Sequence, residues 1–390
     1  MISHISHLEC PRCSRKYNAE RKASYCICGS PLFAIYDTVG VSEAVGRGEF
    51  PSRVNSMWRY SQLLPVKSPS FIVSLGEGWT PLSLSRRLGR HLGLKILRIK
   101  DEAQNPTLSF KDRGLCAAIS KHLELGSNAF ALPSAGNAGI STSAYCAAAG
   151  VSAHIFMPTE TPEAFFWACE TFGAEVVKVD GTISDSAAEM KKRNGDWTDL
   201  STAKEPYRIE GKKTLGFEIA EQLGWKMPDA IICPTGGGTA LIGIWKALDE
   251  LEAIGLVGNE RPRMYAAQSG ACAPVVRAVE RNAEEIEPWP NGDTIAHGLR
   301  VPSPFAGHLI LNTIRRSGGS AVAVAEQEIE PSRRMAALME GLEICPEAAV
   351  GLAGLRNLIE SGEIDYSEDV VLLNTGSGSR YPFTKTDLNH

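Results

Sequence analysis

Residues 105–114, NPTLSFKDRG, hold a lysine where it could do covalent chemistry. Lys111 stands at the predicted start of a helix, with Ser109 available as the N-cap. The positive end of the helix dipole favours the neutral amine of a lysine there, and a neutral amine is what Schiff-base formation with a carbonyl requires. The segment also suits an ordinary helix start in which Lys111 and Arg113 are solvated charges, so it decides nothing alone.

A glycine-rich loop offers a site for a phosphate group. The stretch PTGGGTALIG, residues 234–243, lies between a predicted apolar strand and a predicted helix. Glycines there let backbone N–H groups close around an anion at the helix N-terminus. A dinucleotide fingerprint is excluded, because Leu241 stands where G-x-G-x-x-G needs its last glycine. The loop suits one phosphate or is a structural turn, and it consists of Gly236, Gly237, Gly238 and Thr239.

Two further turns present amide and hydroxyl groups. In SAGNAG, residues 134–139, Asn137 offers a neutral amide to a phenolic oxygen, and in NTGSGSR, residues 374–380, hydroxyls could reach a ring nitrogen. Each would be an ordinary turn if it stood alone. These segments lie where strands give way to helices, and ligands of open α/β sheets bind at the carboxyl ends of strands, so we expect one shared site. The candidate cradle for a substrate carboxylate is Ser134, Ala135 and Gly136.

Four cysteines near the N-terminus have metal-ligand spacing. Cys10 and Cys13 form one pair, and Cys26 and Cys28 form a second pair after twelve intervening residues. Such pairs suit a tetrahedral zinc site of four thiolates, and a closed set of four ligands makes any metal structural. The second pair is C-x-C, tighter than the usual C-x-x-C. A ribbon without metal and simple core thiols therefore stay open as alternatives.

Strands and helices alternate along most of the chain, which predicts an α/β fold with parallel sheets and helices on both faces. Strands are predicted at 94–102, 129–134, 152–158, 174–181, 229–234, 263–268 and from 370. Helices are predicted at 110–126, 138–150, 161–173, 214–225 and 239–251. With 390 residues the chain exceeds one ordinary core. The predicted parts are a cysteine segment at 1–34, a large domain at 35–100 and 206–390, and a smaller domain at 101–205.

Composition and charge indicate which kinds of molecule the protein is expected to bind. Hydrophobic residues make up 43% and charged residues 22%, and the net charge is −5, which argues against nucleic acid as the main partner. The sequence has no run of 18 apolar residues and no visible secretory signal. We therefore expect a cytoplasmic location, where the ten cysteines would be reduced.

In combination, these segments resemble the fold-type II pyridoxal phosphate enzymes, the tryptophan synthase β-subunit family, and within it the threonine synthase branch. The resemblance runs from Ser74 to about Pro382. It implies two parallel-sheet domains of that fold with an N-terminal cysteine ribbon. The motifs, in the family's order, are SLGEGWTPL, KDEAQNPTLSFKDRG, SAGNAG, EGKKTLGFEIAEQLGW, PTGGGTALIG and LNTGSGSRYP.

The resemblance implies a role for each segment. Lys111 forms the Schiff base with pyridoxal 5′-phosphate and removes the substrate's α-proton. Asn137 meets the cofactor's phenolic oxygen, and the loop at 236–239 holds its phosphate. Thr375, with Ser377 as the nearby alternative, faces the ring nitrogen. A hydroxyl in that place leaves the ring nitrogen largely unprotonated, which suits eliminations and replacements at the β or γ carbon.

The activity implied is that of a threonine synthase-like lyase, which converts O-phosphohomoserine and water to threonine and phosphate. We expect an amino-acid substrate and a homodimer, and neither nucleic acid nor a membrane as partner. One alternative is a related enzyme doing β-elimination or β-replacement on serine or a similar amino acid, and another is a non-catalytic binding or regulatory protein. Candidate ligands of the substrate phosphate, each otherwise a surface cation, are Lys212, which we favour, and Lys213, Arg208, Arg113 and Arg300.

Several positions depart from the family pattern. Leu108 stands where the branch has glycine, and Ser377 stands where histidine is frequent. Ala135 and Ala138 replace hydroxyl residues in the loop expected to hold the substrate carboxylate. Unless backbone N–H groups or water replace those hydrogen bonds, O-phosphohomoserine should bind more weakly than in a hydroxyl-bearing relative.

Overall fold

The computed structural model describes residues 2–45, 50, 54–290 and 292–382. Within these ranges the strands form three sheets. In chain order the strands are β1 (Ile5–Glu9), β2 (Lys16–Tyr17), β3 (Phe33–Tyr36), β4 (Leu82–Leu84), β5 (Ile96–Asp101), β6 (Ala129–Pro133), β7 (Ser152–Pro158), β8 (Glu175–Val179), β9 (Thr198–Asp199), β10 (Ala230–Pro234), β11 (Arg263–Ser269), β12 (Ala321–Val324) and β13 (Asp369–Asn374).

Helices connect most of these strands. None of those in the described ranges is long and apolar enough to cross a lipid bilayer. In chain order the α-helices are α1 (Thr38–Val45), α2 (Arg86–His91), α3 (Lys111–Glu124), α4 (Asn137–Ala149), α5 (Glu163–Thr171), α6 (Ile183–Arg193), α7 (Tyr207–Gln222), α8 (Thr239–Ala253), α9 (Pro274–Glu280), α10 (Gly307–Ser317), α11 (Ile329–Glu340) and α12 (Pro346–Glu360).

The large sheet has the strand order β12-β11-β10-β13-β5-β4. Neighbouring strands from β12 to β5 are parallel, and β4 closes the edge antiparallel to β5. Strand β10 is buried at every position, as expected for a parallel strand covered on both faces. Helix α12 packs along β10 and β13, and α10 packs against β11. The predicted α/β class with parallel sheets is confirmed.

The small sheet has the order β8-β7-β6-β9, and all its pairs are parallel. Helices α4 and α6 both pack against β6 and β7. Its strands lie between residues 129 and 199, within the 101–205 segment predicted as the smaller domain. The domain bounds themselves stay predictions.

Helix α7 begins earlier than predicted. The sequence indicated a helix over 214–225, but α7 runs from Tyr207 to Gln222. Its residues are buried from Tyr207 through Ala220, because α3 and α8 pack against it. A helix that is buried all round lacks the one-sided periodicity by which an amphipathic helix is found, so its first two turns were missed.

A buried ion cluster joins α7 to the start of α3 and the end of β5. Arg113 donates to Glu102 at 2.6 and 2.7 Å and to Glu218 at 2.6 and 2.8 Å. Lys100 Nζ lies 2.7 Å from Glu218 Oε2, and none of the four side chains has exposed surface. Burial alone would raise the pKa of Glu218, but Arg113 and Lys100 lower it from 4.5 to about 2.

Strands β1, β2 and β3 form an antiparallel ribbon that carries the four N-terminal cysteines. Their sulfurs all lie within 4.8 Å of one another, and the Sγ atoms of Cys10 and Cys28, like those of Cys13 and Cys26, are 3.5 Å apart. A tetrahedral zinc with bonds of about 2.3 Å holds its sulfurs roughly 3.8 Å apart. The four thiols therefore fit zinc in number and in spacing.

The ribbon packs against the loop before α10. The rings of Tyr25 and Phe305 meet edge to face with centroids 5.4 Å apart. Ser30 Oγ lies 3.0 Å from His308 Nε2. These aromatic and polar contacts join the N-terminal ribbon to the start of α10 and the loop before it.

We predict that Glu218→Gln lowers the free energy of unfolding by about 3–5 kcal/mol at neutral pH, because Arg113 and Lys100 would keep buried charges without their partner. Since the pKa of Glu218 is lowered, its contribution is complete above pH 4.5 and fades as the pH falls toward about 2. Urea unfolding of both proteins across this range measures the difference. Glu163→Gln is the control, since Glu163 is 60% exposed and 3.7 Å from Lys178. Equal destabilisation by both changes would contradict the importance of the cluster.

For the ribbon, metal analysis of the purified protein should find about one zinc per chain. Cys10→Ser should release that zinc, because it removes one of four ligands. Cys146→Ser changes a buried cysteine outside the cluster and should keep the metal. A wild-type protein free of metal with a folded ribbon would show that the thiols are structural without zinc.

Candidate functional site

A cavity of about 310 Å³ lies where the predicted segments meet. It is bordered by the residues that follow β6, β10 and β13, and by the first residue of α3. These strands are parallel within their sheets, so their carboxyl ends face the position where open α/β sheets bind ligands. The glycine loop, the SAGNAG turn, Thr375 and Lys111 thus line one cavity.

Lys111 is the first residue of α3 and lines the cavity. Its Nζ lies 4.3 Å from the centre of the Phe110 ring. Burial lowers the pKa of Lys111 to about 8, the charge of Arg208 acts in the same direction, and Glu347 opposes it. The amine is therefore far easier to deprotonate than an ordinary lysine, as Schiff-base chemistry requires.

The helix cap beside Lys111 differs from the expectation. Phe110, not Ser109, is the N-cap residue, and no side chain caps the helix. Ser109 instead accepts the Lys111 N–H through its Oγ at 3.4 Å. The preceding Leu108 has φ of 64°, the left-handed region that favours glycine. The leucine that departs from the family pattern thus occupies a strained backbone position.

The glycine loop forms a narrow cradle at the start of α8. Gly238 has φ of +73°, and a Cβ on it would lie 2.3 Å from Ile310 Cγ1. A Cβ on Gly236 would lie 2.7 Å from the carbonyl oxygen of Gly298. The absence of side chains leaves the first-turn N–H groups of α8 open to an anion, since these groups have no acceptor within the helix.

The SAGNAG turn lines the opposite side. Ser134 Oγ accepts hydrogen bonds from the N–H groups of Gly136 and Gly139, at 3.3 and 2.9 Å. Asn137 begins α4, and its Oδ1 accepts a hydrogen bond from Arg380 at 3.4 Å. Ala135 and Ala138 also line the cavity.

The two candidate hydroxyls after β13 differ in placement. Thr375 lines the cavity, and its Oγ1 lies 3.5 Å from Cys345 Sγ. Ser377 is outside the lining, where its Oγ accepts the Ser379 N–H at 3.1 Å. The geometry therefore favours Thr375 over Ser377 as the group that meets a bound ring.

Most of the cations suggested for a substrate phosphate do not reach the cavity. Lys212 donates to the Phe110 carbonyl oxygen at 2.6 Å, and Lys213 to Glu210 at 2.5 Å. Arg113 belongs to the ion cluster. Arg208 is 2% exposed and donates to the Leu200 carbonyl oxygen. Of the five candidates, Arg300 is the one that lines the cavity.

Sequence reasoning missed several lining residues, among them Glu347, Tyr381 and His297. Glu347 follows a proline in the first turn of α12, which is an ordinary helix-start signal and indicates no chemistry. His297 lies in a short helix between longer elements, where the sequence has no periodic pattern. Their role depends on contacts distant in sequence.

The sequence is similar to proteins whose family is established. Residues 73–376 match the family model of the pyridoxal-phosphate dependent enzymes. A threonine synthase of Methanocaldococcus jannaschii is 36% identical over 96% of this chain and 92% of its own length. A threonine synthase of Methanosarcina acetivorans is 34% identical, over 98% of this chain and 94% of its own.

Solved structures share the fold. Maize serine racemase superposes with a TM-score of 0.67 at 22% identity, covering 79% of this chain and 90% of that one. Threonine deaminase isoform 2 of Solanum lycopersicum gives a TM-score of 0.66 at 24% identity, covering 83% and 88%. On the match over residues 73–376 and the identities over nearly the whole chain, this protein belongs to the family of pyridoxal-phosphate dependent enzymes.

Proposed function

We propose that this protein is a threonine synthase, which converts O-phosphohomoserine and water to threonine and phosphate. The observation that carries the proposal is one cavity that holds a lysine of lowered pKa, an anion cradle in the glycine loop and a separate cation, Arg300, at its wall. The substrate and the cofactor each carry a phosphate, so two anion sites are needed. The similarity to threonine synthases along nearly the full chain supports the same reaction.

The cavity fits pyridoxal phosphate. The glycine loop would hold its phosphate, Asn137 its phenolic oxygen, and Thr375 its ring nitrogen. Side chains at Gly236 or Gly238 would collide with Gly298 or Ile310 and displace the loop, so glycine keeps the backbone in the place where it would meet the phosphate. When bound, the cofactor withdraws electrons from the substrate's α-carbon.

Lys111 holds and moves the protons of the reaction. With a pKa near 8, a substantial fraction of its amine is neutral close to neutral pH, so it can take the substrate's α-proton and return one later. The N–H groups of the SAGNAG turn bind the substrate carboxylate. The Ser134 hydroxyl donates to the Gly136 carbonyl oxygen at 3.2 Å, and the N–H groups of Gly136 and Gly139 donate to Ser134 Oγ. The carboxylate would therefore meet the other N–H groups of the turn.

Arg300 is proposed to bind the substrate's phosphate, in place of Lys212. Its side chain is 37% exposed, and its nearest carboxylate, Asp293, is 3.5 Å away. His297, on the same loop, lines the cavity beside it. A second cavity of about 530 Å³ is also lined by Arg300 and His297. Arg300 would therefore meet a phosphorylated substrate that passes from one cavity to the other.

The homodimer, the cytoplasmic location and the structural zinc stay predictions. The alternative of β-elimination or β-replacement on serine or a related amino acid is separated from the proposal by its products. The alternative of a non-catalytic protein is separated by the absence of turnover.

We expect the purified protein, supplied with pyridoxal phosphate and O-phosphohomoserine, to release phosphate and threonine in equal amounts. A phosphate assay and chromatography of amino acids measure both. A 2-oxo acid and ammonia from serine, with no phosphate release from O-phosphohomoserine, would contradict the proposal and favour a lyase of another substrate.

Arg300→Met should raise KM for O-phosphohomoserine by roughly 10- to 100-fold, as expected when a charged hydrogen bond is lost. The binding of threonine, which has no phosphate, should stay unchanged in the same variant. Arg281→Met is the matched control, since Arg281 is 64% exposed and paired with Glu287. An unchanged KM in Arg300→Met would assign the phosphate to another group.

A further inference from the structure

Glu347 lines the cavity with a carboxylate of which one oxygen accepts a hydrogen bond from the protein. It lies in the first turn of α12, is 6% exposed and lines the cavity. Its Oε1 accepts the Gly298 N–H at 2.7 Å and lies 3.5 Å from the Tyr381 hydroxyl. Its Oε2 is buried and has no hydrogen-bond partner among the residues that the structure describes. Among the described residues that line the cavity, Glu347 is the sole carboxylate.

Gly298 leaves space for the Glu347 carboxylate. A Cβ on Gly298 would lie 2.8 Å from Glu347 Oε1 and 3.2 Å from its carboxyl carbon. A side chain at 298 would therefore push the carboxylate out of its place. The backbone of Gly298 does not need glycine for its φ, so the close approach to Glu347 is what requires glycine here.

An unpaired buried carboxylate oxygen is costly, and a charge in that state needs a partner. The cations that line the described cavity are Lys111 and Arg300, and the two loops offer backbone N–H groups. These groups suit the carboxylate and phosphates of the ligands. An α-amino acid brings one cationic group, its ammonium, and Glu347 offers the complementary charge.

We propose that Glu347 Oε2 binds the α-ammonium of the incoming amino acid as the acceptor of a charge-assisted hydrogen bond. This inference rests on the proposed function, in that the substrate is an amino acid.

The groups that face Glu347 come from several elements. Lys111 is at the start of α3, Cys345 precedes α12, Tyr381 follows β13, and His297 precedes Gly298. Lys111 and Glu347 interact electrostatically across the cavity.

The test is Glu347→Gln, which keeps the size of the side chain and removes its charge. At neutral pH the Kd of the product threonine, measured by calorimetry on the cofactor-loaded protein, should rise roughly tenfold or more, as for a lost charge-assisted hydrogen bond. The Kd of 3-hydroxybutanoate, the same molecule without its amine, should stay unchanged.

Glu160→Gln is the matched control. Glu160 is an exposed carboxylate of the outer cavity, and its loss should alter neither Kd. The amount of pyridoxal phosphate bound per chain, measured by absorbance, should be the same in all variants. If Glu347→Gln does not fold, Gly298→Ala gives the same comparison, because its Cβ displaces the carboxylate.

Equal loss of affinity for both compounds, or loss of the cofactor, would overturn the role in ammonium binding. An unchanged Kd for the amino acid would do the same. If the proposed function itself is wrong, the wild-type protein will release no phosphate from O-phosphohomoserine. In that event serine and 3-hydroxypropanoate supply the same pair, with and without the amine, and the same outcomes apply to Glu347.

Discussion

The buried guanidinium of Arg113 fixes where Lys111 can be, because both residues belong to the first turn of α3. Arg113 is bonded to Glu102 beyond the end of β5 and to Glu218 in α7, so the turn is tied to the large sheet and to the helix beneath it. Breaking such a pair leaves an uncompensated charge in the interior, which costs far more than an exposed pair. The position of the Lys111 amine thus depends on buried charges that take no part in the reaction.

Different parts of the cavity present groups of different charge to the ligands. The glycine loop and the SAGNAG turn offer backbone N–H groups, Arg300 offers a side-chain cation at the wall, and Glu347 offers the opposing charge. Close packing makes these positions possible, because a side chain at Gly236 or Gly298 would collide with neighbouring atoms. Each recognition group is therefore held by the packing of a strand end or a helix start.

Local signals in the sequence predicted the framework and much of the site. The apolar run of β10 and the glycines after it were found because a buried strand and a helix start each leave a short pattern, and the four cysteines were found by their spacing. Lys212 was misjudged, since a lysine in a helix buried on all sides has no sequence pattern that separates it from a surface lysine. Arg300 was one of five candidates but not the favoured one, and Glu347 was not found, because both depend on contacts across the fold.

The most direct test of the central claim is to locate the covalently bound cofactor. Borohydride reduction of the protein loaded with pyridoxal phosphate, followed by mass mapping of its peptides, identifies the modified lysine. The account predicts the label on Lys111. Lys212 is the sharp alternative, because its Nζ lies 4.1 Å from the same Phe110 ring that Lys111 contacts. A label on Lys212, with Lys111 unmodified, would contradict the account.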